Sequence, residues 1–494
     1  MISLGFDIGS SSVKGAAIEI ESGKTVAAEF YPREEMAIDS PRPGWAEQDP
    51  NYWWECVQHV SRALLRNGPI DPGQVACIGI SYQMHGLVIV DQAGKTLRPS
   101  IIWCDSRAVE IGDRAFRALG KEYCLSNLLN SPGNFTASKL RWVKENEPEV
   151  YRRIAHVLLP GDFIALRMTG EATTTVTGLS EGILWNFRER GVDRKLVAYY
   201  EIDEGLLSKV VPAMGLQGHL TRAAAEALGL REGIPVAYRA GDQPNNAFSL
   251  NVLNPGEVAA TAGTSGVVYG VSDRPASDPR SRVNPFAHVN YGADQPRLGV
   301  LLCINGTGIL YSWLRRMLGA AISYEQLNAL AANVGVGSDG VTILPFGNGS
   351  ERILENRTLG AGITGLDLVR HSNGHLVRAA QEGIAFAFQW GMGIMRSMGL
   401  STDIIRAGHA NLFLSPVFRQ TLANVSGARI ELYDTDGAAG AARGAAVGSG
   451  AHRSVTDAFV SLRKITTVEP LVGEQGAVNE AYVRWVNILE RALR

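Results

Sequence analysis

The feature that most constrains the fold is a pair of similar segments, one near the start of each half of the chain. Residues 4–20 form an apolar strand pattern, a Gly-Ser-Ser-Ser turn and a second strand pattern, and residues 258–270 repeat this order around Gly-Thr-Ser-Gly. Strand patterns separated by a few glycine-containing residues predict a β-hairpin. The repeat predicts either a duplicated, two-lobed phosphate-binding protein or a chance resemblance, because glycine- and serine-rich hairpins are common.

The rest of the chain predicts an α/β fold with more than one domain. Its 494 residues exceed what one hydrophobic core usually organises. Strand patterns alternate with helical ones, such as a helix that Asp49 and Pro50 begin and a long amphipathic helix over 375–399. A helix rich in small residues at 436–448 would let another backbone or a ligand approach closely. We expect the domains to cover residues 1–246 and 247–494.

Charge and composition limit the classes of partner. The formal net charge is −2 and the charges are interspersed, which is not the pattern of a nucleic-acid-binding protein or a basic membrane surface. No apolar run is long enough to span a bilayer, and the first residues lack the pattern of a signal peptide. The five cysteines are odd in number and widely spaced, which indicates reduced thiols. We therefore expect a cytoplasmic protein that acts on small molecules.

The two hairpin turns contain residue types suited to phosphate groups. Backbone N–H groups around Gly9, Ser10 and Ser11 can surround phosphate oxygens, and the Asp7 carboxylate is a ligand type that Mg²⁺ prefers. The Gly-Thr-Ser-Gly turn at 263–266 offers a second such cradle. Each turn alone could equally be a plain hairpin turn. Two cradles facing each other across a cleft would suit a nucleoside triphosphate.

Asp242 is the candidate general base. It follows the strand pattern of residues 233–240 and precedes Pro244, which we expect to begin a helix. The alternative is that Asp242 only caps this helix. The two roles compete, because backbone N–H bonds to a carboxylate lower its pKa and weaken it as a base. Gln243 adds a polar group that could bind a substrate hydroxyl.

A second group of polar residues follows the strand pattern at 75–81. Met84 and His85 lie just beyond its carboxyl end, where α/β proteins commonly bind ligands. Trp103 lies at the end of a neighbouring strand pattern and is a candidate wall of the same pocket. The alternative for His85 is a structural role with satisfied hydrogen bonds.

Motifs in a fixed order across almost the whole chain resemble the FGGY carbohydrate kinases. The segment LGFDIGSSSVKG resembles their N-terminal phosphate hairpin, and QMHG resembles the sugar-site tetrad of the members that phosphorylate xylulose. The segments FTASKLRWVKEN, GDQ, GTSGVVY, HLVRAAQEG and DGAAGAARGAA complete the series. The chain departs from the family pattern at Gln243-Pro244, where Asn usually follows Asp, and at His409, which replaces a glycine. These departures leave the identity of the sugar open.

The resemblance implies two actin/hexokinase-like (ribonuclease H-like) α/β domains with a catalytic cleft between them. The sugar would bind mainly to the N-terminal domain and ATP mainly to the C-terminal domain. The implied reaction is in-line phosphoryl transfer from MgATP to a ketopentose, with D-xylulose giving D-xylulose 5-phosphate and Asp242 as catalytic base. Two alternatives stay open, a kinase for another pentulose or polyol such as ribulose, and a sugar-sensing protein without turnover.

The resemblance also implies a set of binding residues. We expect the sugar and ATP as partners, with a homodimer as the candidate assembly. The expected sugar contacts are Met84, His85, Gln243 and Trp103; the expected ATP contacts are Ser10, Ser11, Lys14, Gly263, Thr264, Ser265, Gly306, Gly408, Ala410 and Asn411; and the expected Mg²⁺ contacts are Asp7 and Asp242.

Overall fold

The structure, a computed structural model, describes residues 1–292, 294–319 and 321–494. Its β-strands in chain order are β1 (Ile2–Ile8), β2 (Val13–Glu19), β3 (Thr25–Tyr31), β4 (Glu47–Gln48), β5 (Val75–Tyr82), β6 (Val88–Val90), β7 (Ser100–Ile101), β8 (His156–Leu158), β9 (Thr173–Thr175), β10 (Trp185–Asn186), β11 (Gly191–Val192), β12 (Lys209–Val211), β13 (Met214–His219), β14 (Pro235–Gly241), β15 (Glu257–Ala262), β16 (Gly266–Ser272), β17 (Asn284–Ala287), β18 (Leu298–Ile304), β19 (Thr342–Phe346), β20 (Gly360–Thr364), β21 (Ile404–Gly408), β22 (Arg429–Tyr433) and β23 (Lys464–Val468).

The α-helices alternate with these strands. In chain order they are α1 (Pro50–Asn67), α2 (Val109–Leu119), α3 (Lys121–Tyr123), α4 (Thr136–Asn146), α5 (Pro148–Tyr151), α6 (Pro160–Thr169), α7 (Val176–Glu181), α8 (Arg194–Tyr199), α9 (Arg222–Leu228), α10 (Asp242–Ser249), α11 (Gly308–Leu318), α12 (Tyr324–Ala332), α13 (Asn373–Ser397), α14 (Pro416–Ser426), α15 (Gly437–Gly448) and α16 (Val472–Ala492). In the described part of the chain, every helix is too short or too polar to cross a membrane.

Two mixed sheets with the same topology form the frame. In the described residues, one has six strands in the order β13-β14-β5-β1-β2-β3, and the other has seven in the order β17-β18-β16-β15-β21-β22-β23. In the first sheet, β1 pairs antiparallel with β2 and parallel with β5, which pairs parallel with β14. In the second, β15 pairs antiparallel with β16 and parallel with β21, which pairs parallel with β22. The repeated hairpins of the sequence are therefore the centres of two equivalent sheets.

The first sheet is covered on both faces, which explains its nearly continuous apolar strands. In β1, Leu4, Phe6 and Ile8 are fully buried. Helix α1 covers one face with an apolar stripe that includes Trp53 and Leu64. The predicted start of this helix is confirmed, since the Asp49 side chain accepts a hydrogen bond from a backbone N–H in the first turn.

Helix α15 belongs to the second half of the chain but packs on the first sheet. The Ser3 hydroxyl donates to the Ala442 carbonyl oxygen at 2.7 Å. A Cβ on Gly79 of β5 would lie 2.0 Å from the Ala441 carbonyl oxygen, so strand and helix backbones touch. The close approach predicted for this small-residue helix is confirmed. The two halves are thus interlocked, and the boundary between 1–246 and 247–494, which lies within α10, stays a prediction.

Candidate active site

Three parallel strands of the first sheet end at one edge and place the candidate residues there. Asp7 is the penultimate residue of β1, Ser81 is the penultimate residue of β5, and the two are paired in register. The Ser81 hydroxyl donates to Asp7 Oδ1 at 2.7 Å. Gly241 ends β14 opposite Tyr82 of β5, so Asp242 begins just beyond the same edge. The carboxyl ends of β1, β5 and β14 thereby bring the metal, base and sugar candidates together.

Asp242 has the electrostatic environment of a base that works near neutral pH. Burial, and after it the negative charge of Asp7, raises the pKa of Asp242 from 3.8 to about 7, although hydrogen bonds from Gln243 oppose the rise. Helix α10 begins at Asp242 itself, two residues before the predicted start at Pro244, and no side chain caps it. The capping alternative for Asp242 therefore does not describe this helix.

Asp7 and Asp242 form a coupled pair of carboxylates. Burial raises the pKa of Asp7, and so does the charge of Asp436, whereas the Ser81 hydrogen bond and Lys14 lower it. Lys14 lies directly across the β1–β2 hairpin. Among the described residues, no group of three or more acidic, His or Cys side chains could hold a metal. Mg²⁺ commonly uses only one or two carboxylates together with substrate phosphates and water, so Asp7 and Asp242 fit it.

His85 is held as a neutral hydrogen-bond acceptor. Its Nδ1 lies 3.1 Å from the carbonyl oxygen of Glu181. Since a carbonyl can only accept, Nδ1 carries the hydrogen and Nε2 presents a lone pair. Burial and the nearby charge of Lys139 lower the pKa of His85 to about 3. The imidazole can therefore accept a hydrogen bond from a hydroxyl group through Nε2.

Both halves of the chain surround His85. Its ring contacts Phe135 at a centroid distance of 4.8 Å and Phe286 of β17 at 5.2 Å. The Lys139 ammonium is buried and donates to the carbonyl oxygens of His85 and Ile102, both at 2.9 Å. Burial lowers the pKa of Lys139 to about 7. Lys139 therefore fixes the turn that carries Met84 and His85 and is not free to contact a ligand.

Trp103 lies at the protein surface beside the first hairpin. Its side chain is 49% exposed, and its indole N–H points to Ser10 Oγ at 3.4 Å. Ser11 lies next in the β1–β2 turn, where its carbonyl oxygen accepts from the Met36 N–H. Trp103 thus connects the predicted sugar residues to the first hairpin, and its exposed face is free to contact a ligand.

The second hairpin meets the predicted adenosine residues. A Cβ on Gly263 would lie 3.6 Å from Asn411 Nδ2, and the Ser265 hydroxyl donates to Asn305 Oδ1 at 3.3 Å. Thr264 and Ser265 are exposed at the tip of the hairpin, as is Ala410 beside Asn411. These residues form one surface at the carboxyl ends of β15 and β21.

Two predicted glycines lie deeper. Gly306 has a φ of 88° and packs on the Pro345 carbonyl oxygen, where a Cβ would approach to 1.6 Å. Its conformation is therefore explained by packing, and its contact with ATP stays a prediction. Gly408 ends β21, with its Cβ position 3.6 Å from the Thr435 carbonyl oxygen.

The amino-terminal end of α15 joins the two clusters. Asp436 caps this helix, its Oδ1 accepting from the Ala439 N–H at 2.8 Å. A Cβ on Gly437 would lie 2.5 Å from Asp7 Oδ2, and Asn245 Nδ2 donates to the Gly437 carbonyl oxygen at 2.8 Å. The carboxylate pair therefore lies where the first sheet, α10 and α15 converge.

Glu181 is a residue of this region that the sequence analysis missed. It is 1% exposed, and neither carboxyl oxygen has a well-aligned hydrogen bond among the described residues. A Cβ on Gly241 would lie 2.8 Å from Glu181 Oε2. Burial raises the pKa of Glu181 well above its ordinary value, the Tyr82 hydroxyl opposes the rise, and the charge of Asp242 adds to it. A usable signal existed, because Glu181 is the single charged residue between 173 and 186.

Comparison with known proteins decides the family. Residues 2–249 match the N-terminal domain of the FGGY family of carbohydrate kinases, and residues 258–450 match its C-terminal domain. The chain belongs to this family. It is 30% identical to the xylulose kinase of Escherichia coli (strain K12) over 447 residues, which cover 90% of this chain and 88% of that one. It is also 30% identical to the L-xylulose/3-keto-L-gulonate kinase of the same organism over 500 residues, covering 98% and 96%.

A solved structure agrees with this placement in the family. The crystal structure of xylulose kinase from Rhodospirillum rubrum superposes with a TM-score of 0.88 at 26% identity, covering 99% of both chains. The predicted actin/hexokinase-like, two-domain α/β fold is therefore confirmed, and so is the prediction of a carbohydrate kinase. As a member of this family, the FGGY kinase uses ATP and a sugar as its substrates.

Proposed function

We propose that this FGGY kinase transfers the γ-phosphoryl group of MgATP to D-xylulose, giving D-xylulose 5-phosphate. The observation that carries the proposal is the position of Asp242. Its carboxyl is buried beside Asp7, at the edge where β1, β5 and β14 end, and its pKa of about 7 lets it be ionised at neutral pH. The named relatives with this fold support xylulose as the acceptor.

In the proposed reaction, Asp242 orients the terminal hydroxyl of the sugar and accepts its proton. Because an alcohol is a very weak acid, the proton moves late, as the new bond to phosphorus forms. Phosphoryl transfer has a loose transition state, so positioning and electrostatics supply most of the rate. The lone pair on His85 Nε2 accepts a hydrogen bond from a sugar hydroxyl. Met84, Gln243 and the exposed face of Trp103 form the remaining proposed walls of the sugar site.

The phosphates lie between the two hairpins in this proposal. Thr264, Ser265 and the backbone at Gly263 hold the β- and γ-phosphates, and the first hairpin, Ser10, Ser11 and Lys14, approaches them from the other lobe. Gly306, Gly408, Ala410 and Asn411 border the rest of the nucleotide. Asp7 and Asp242 would hold Mg²⁺, which when bound offsets negative charge on the transferring phosphoryl group.

A ketose panel tests the proposal. Purified protein is incubated with MgATP and each of D-xylulose, L-xylulose, D-ribulose and L-ribulose, and sugar-dependent ADP release is measured with Asp242→Asn as the matched control. We expect the highest kcat/KM for D-xylulose and a loss of about 10²–10⁴ in kcat for the variant. Another preferred ketose would replace D-xylulose in the proposal, and ADP release by neither protein would refute it.

A second candidate acceptor is an acidic sugar. One relative is named as a kinase of 3-keto-L-gulonate, which carries a carboxylate. Here the Arg352 guanidinium lies 5.2 Å from the Phe135 ring that contacts His85, and it donates to Asn284 Oδ1 at 2.7 Å. An arginine at this rim could pair with a carboxylate. The panel therefore includes 3-keto-L-gulonate, for which Arg352→Gln should lower kcat/KM far more than for the neutral ketoses.

A further inference from the structure

The buried carboxyl of Glu181 has no role in the reaction derived above. Glu181 ends α7, which lies between the two halves of the chain, since the Ser180 hydroxyl accepts from the Ala287 N–H of β17 at 3.0 Å. Its backbone carbonyl holds His85. Its side chain turns toward Gly241, the residue before Asp242. Glu181 therefore touches the turn that carries the proposed sugar ligands and the strand end that carries the proposed base.

The carboxyl oxygens of Glu181 lack the partners that a buried acid normally has. Neither oxygen has a well-aligned hydrogen bond among the described residues, and the nearby Tyr82 hydroxyl, which interacts with the carboxyl, can donate to only one of the two. Burial raises the pKa of Glu181, the Tyr82 hydroxyl opposes the rise, and the charges of Asp242 and Asp162 add to it. Buried polar groups in folded proteins are nearly always hydrogen-bonded. The carboxyl oxygen that the Tyr82 hydroxyl does not reach is therefore available to a ligand that supplies its partner.

The surroundings of Gly241 indicate how a ligand reaches Glu181. The space that a side chain at Gly241 would fill is shared by Glu181 Oε2, at 2.8 Å from the Cβ position, and by the Met84 side chain, at 2.6 Å. Methionine is unbranched and adapts its conformation easily. A small rotation of Met84 would open Glu181 to the sugar, whereas a bulkier residue at 241 would close this space.

We propose that Glu181 binds a hydroxyl group of the sugar and is a specificity-determining residue of the kinase. The inference rests on the proposed function, because it places the sugar beside Met84, His85 and Asp242. A carboxyl oxygen accepts a hydrogen bond from a hydroxyl group in either protonation state. A site built to pair with a hydroxyl discriminates strongly against an analogue that lacks it, since the buried group is then left without a partner.

Sugar binding tests this inference without depending on turnover. Titrations followed by tryptophan fluorescence compare the wild type with Glu181→Gln and Glu181→Met, and with Glu189→Met as a control at an exposed acid. We expect Glu181→Met to raise the Kd of the sugar about 10–100-fold, since each tenfold change corresponds to the loss of about one good hydrogen bond. Glu181→Gln, which keeps a donor and an acceptor, should stay within about fivefold. The Kd for a non-hydrolysable ATP analogue should not change in any of the variants.

Deoxy sugars separate a direct contact from a structural effect. One monodeoxy analogue should bind the wild type as weakly as the full sugar binds Glu181→Met, with no further loss when the two changes are combined. If every deoxy analogue lowers the affinity for the sugar by the same factor in the wild type and in Glu181→Met, Glu181 does not contact the sugar.

Infrared spectroscopy covers the case in which Glu181→Met does not fold. In the difference spectrum on sugar binding, the wild type should show a shifted carboxyl band, protonated or ionised, that is missing in Glu181→Gln. An unshifted band overturns the inference. If the wild type phosphorylates a ketose while both tests fail, only the role of Glu181 is wrong; if it phosphorylates no sugar, the proposed function is wrong.

Discussion

Replacing Asp242 by Asn should abolish most activity and, at the same time, stabilise the protein above neutral pH. The ionised form of Asp242 is buried beside Asp7, which raises its pKa from 3.8 to about 7. A rise of about three units corresponds to about 4 kcal/mol of unfavourable free energy once the group is ionised in both the folded and unfolded states. Asparagine has nearly the same shape and does not ionise, so the variant escapes this cost.

The sign of the pH dependence follows from the raised pKa. A folded state that holds its proton more tightly is favoured at low pH and loses that advantage as pH rises toward the folded pKa of about 7. The advantage of Asp242→Asn in free energy of unfolding should therefore grow with pH, by about 2 kcal/mol between about pH 5.5 and about pH 8.5. Activity of the wild type should show the matching acid limb, with kcat/KM for the sugar falling about tenfold per pH unit below the pKa.

Urea unfolding in the presence of EDTA measures the free energy of unfolding of each protein without bound metal. The wild type and Asp242→Asn are compared at both pH values, so that contributions from all other groups cancel in the difference. A constant difference between the two proteins across this range would refute the reasoning that Asp242 is buried as an uncompensated carboxylate. Full activity of the variant would separately refute its role as the base.

Three further predictions follow from the packing and the hydrogen bonds. Gly79→Ala should destabilise the protein by about 1–3 kcal/mol, because its Cβ would overlap the α15 backbone, whereas Gly393→Ala, at an open helical position, should stabilise it by about 0.5–1 kcal/mol in the same urea titration. His85→Ala should lower kcat/KM for the sugar about 10–100-fold with little change in the KM for ATP, and equal effects on both substrates would count against an acceptor role. Lys139→Met should leave the His85 carbonyl oxygen without its Lys139 hydrogen bond and the Ile102 carbonyl oxygen with only the Asp105 N–H. It should lower the free energy of unfolding by about 1–3 kcal/mol, which an unchanged urea midpoint would contradict.

The repeated hairpins and the helix boundaries could be predicted because their signals are local. Asp49 with Pro50 set the start of α1, and the observed α13 (Asn373–Ser397) differs by two residues at each end from the predicted 375–399. The hairpin repeat predicted two lobes, and the matching strand orders of the two sheets confirm it. In these places the local sequence pattern and the tertiary structure agree.

The convergence of the site could not be predicted from spacing alone. The neighbour of Asp7 at the amino-terminal end of α15, Gly437, lies more than four hundred residues away in sequence, and only the packed fold brings the two together. Glu181 was missed because its importance depends on burial next to Gly241, and a single acid in an uncharged segment gives no periodic pattern. The sequence predicts the start of α10 two residues late, because Pro244 marks a helix start in the sequence pattern although proline is also tolerated within the first turn.

Because of helix α15, the first half of the chain cannot be cut from the second without exposing buried surface. A fragment that stops at residue 246 would keep β1 and β5 but lose the helix whose backbone rests on Gly5 and Gly79. Its first sheet would then present a bare, glycine-lined strip to water, a surface that other chains could pair with or aggregate upon. The two halves therefore depend on each other for folding, and a stable version of the first half would have to carry residues 436–448 of the second.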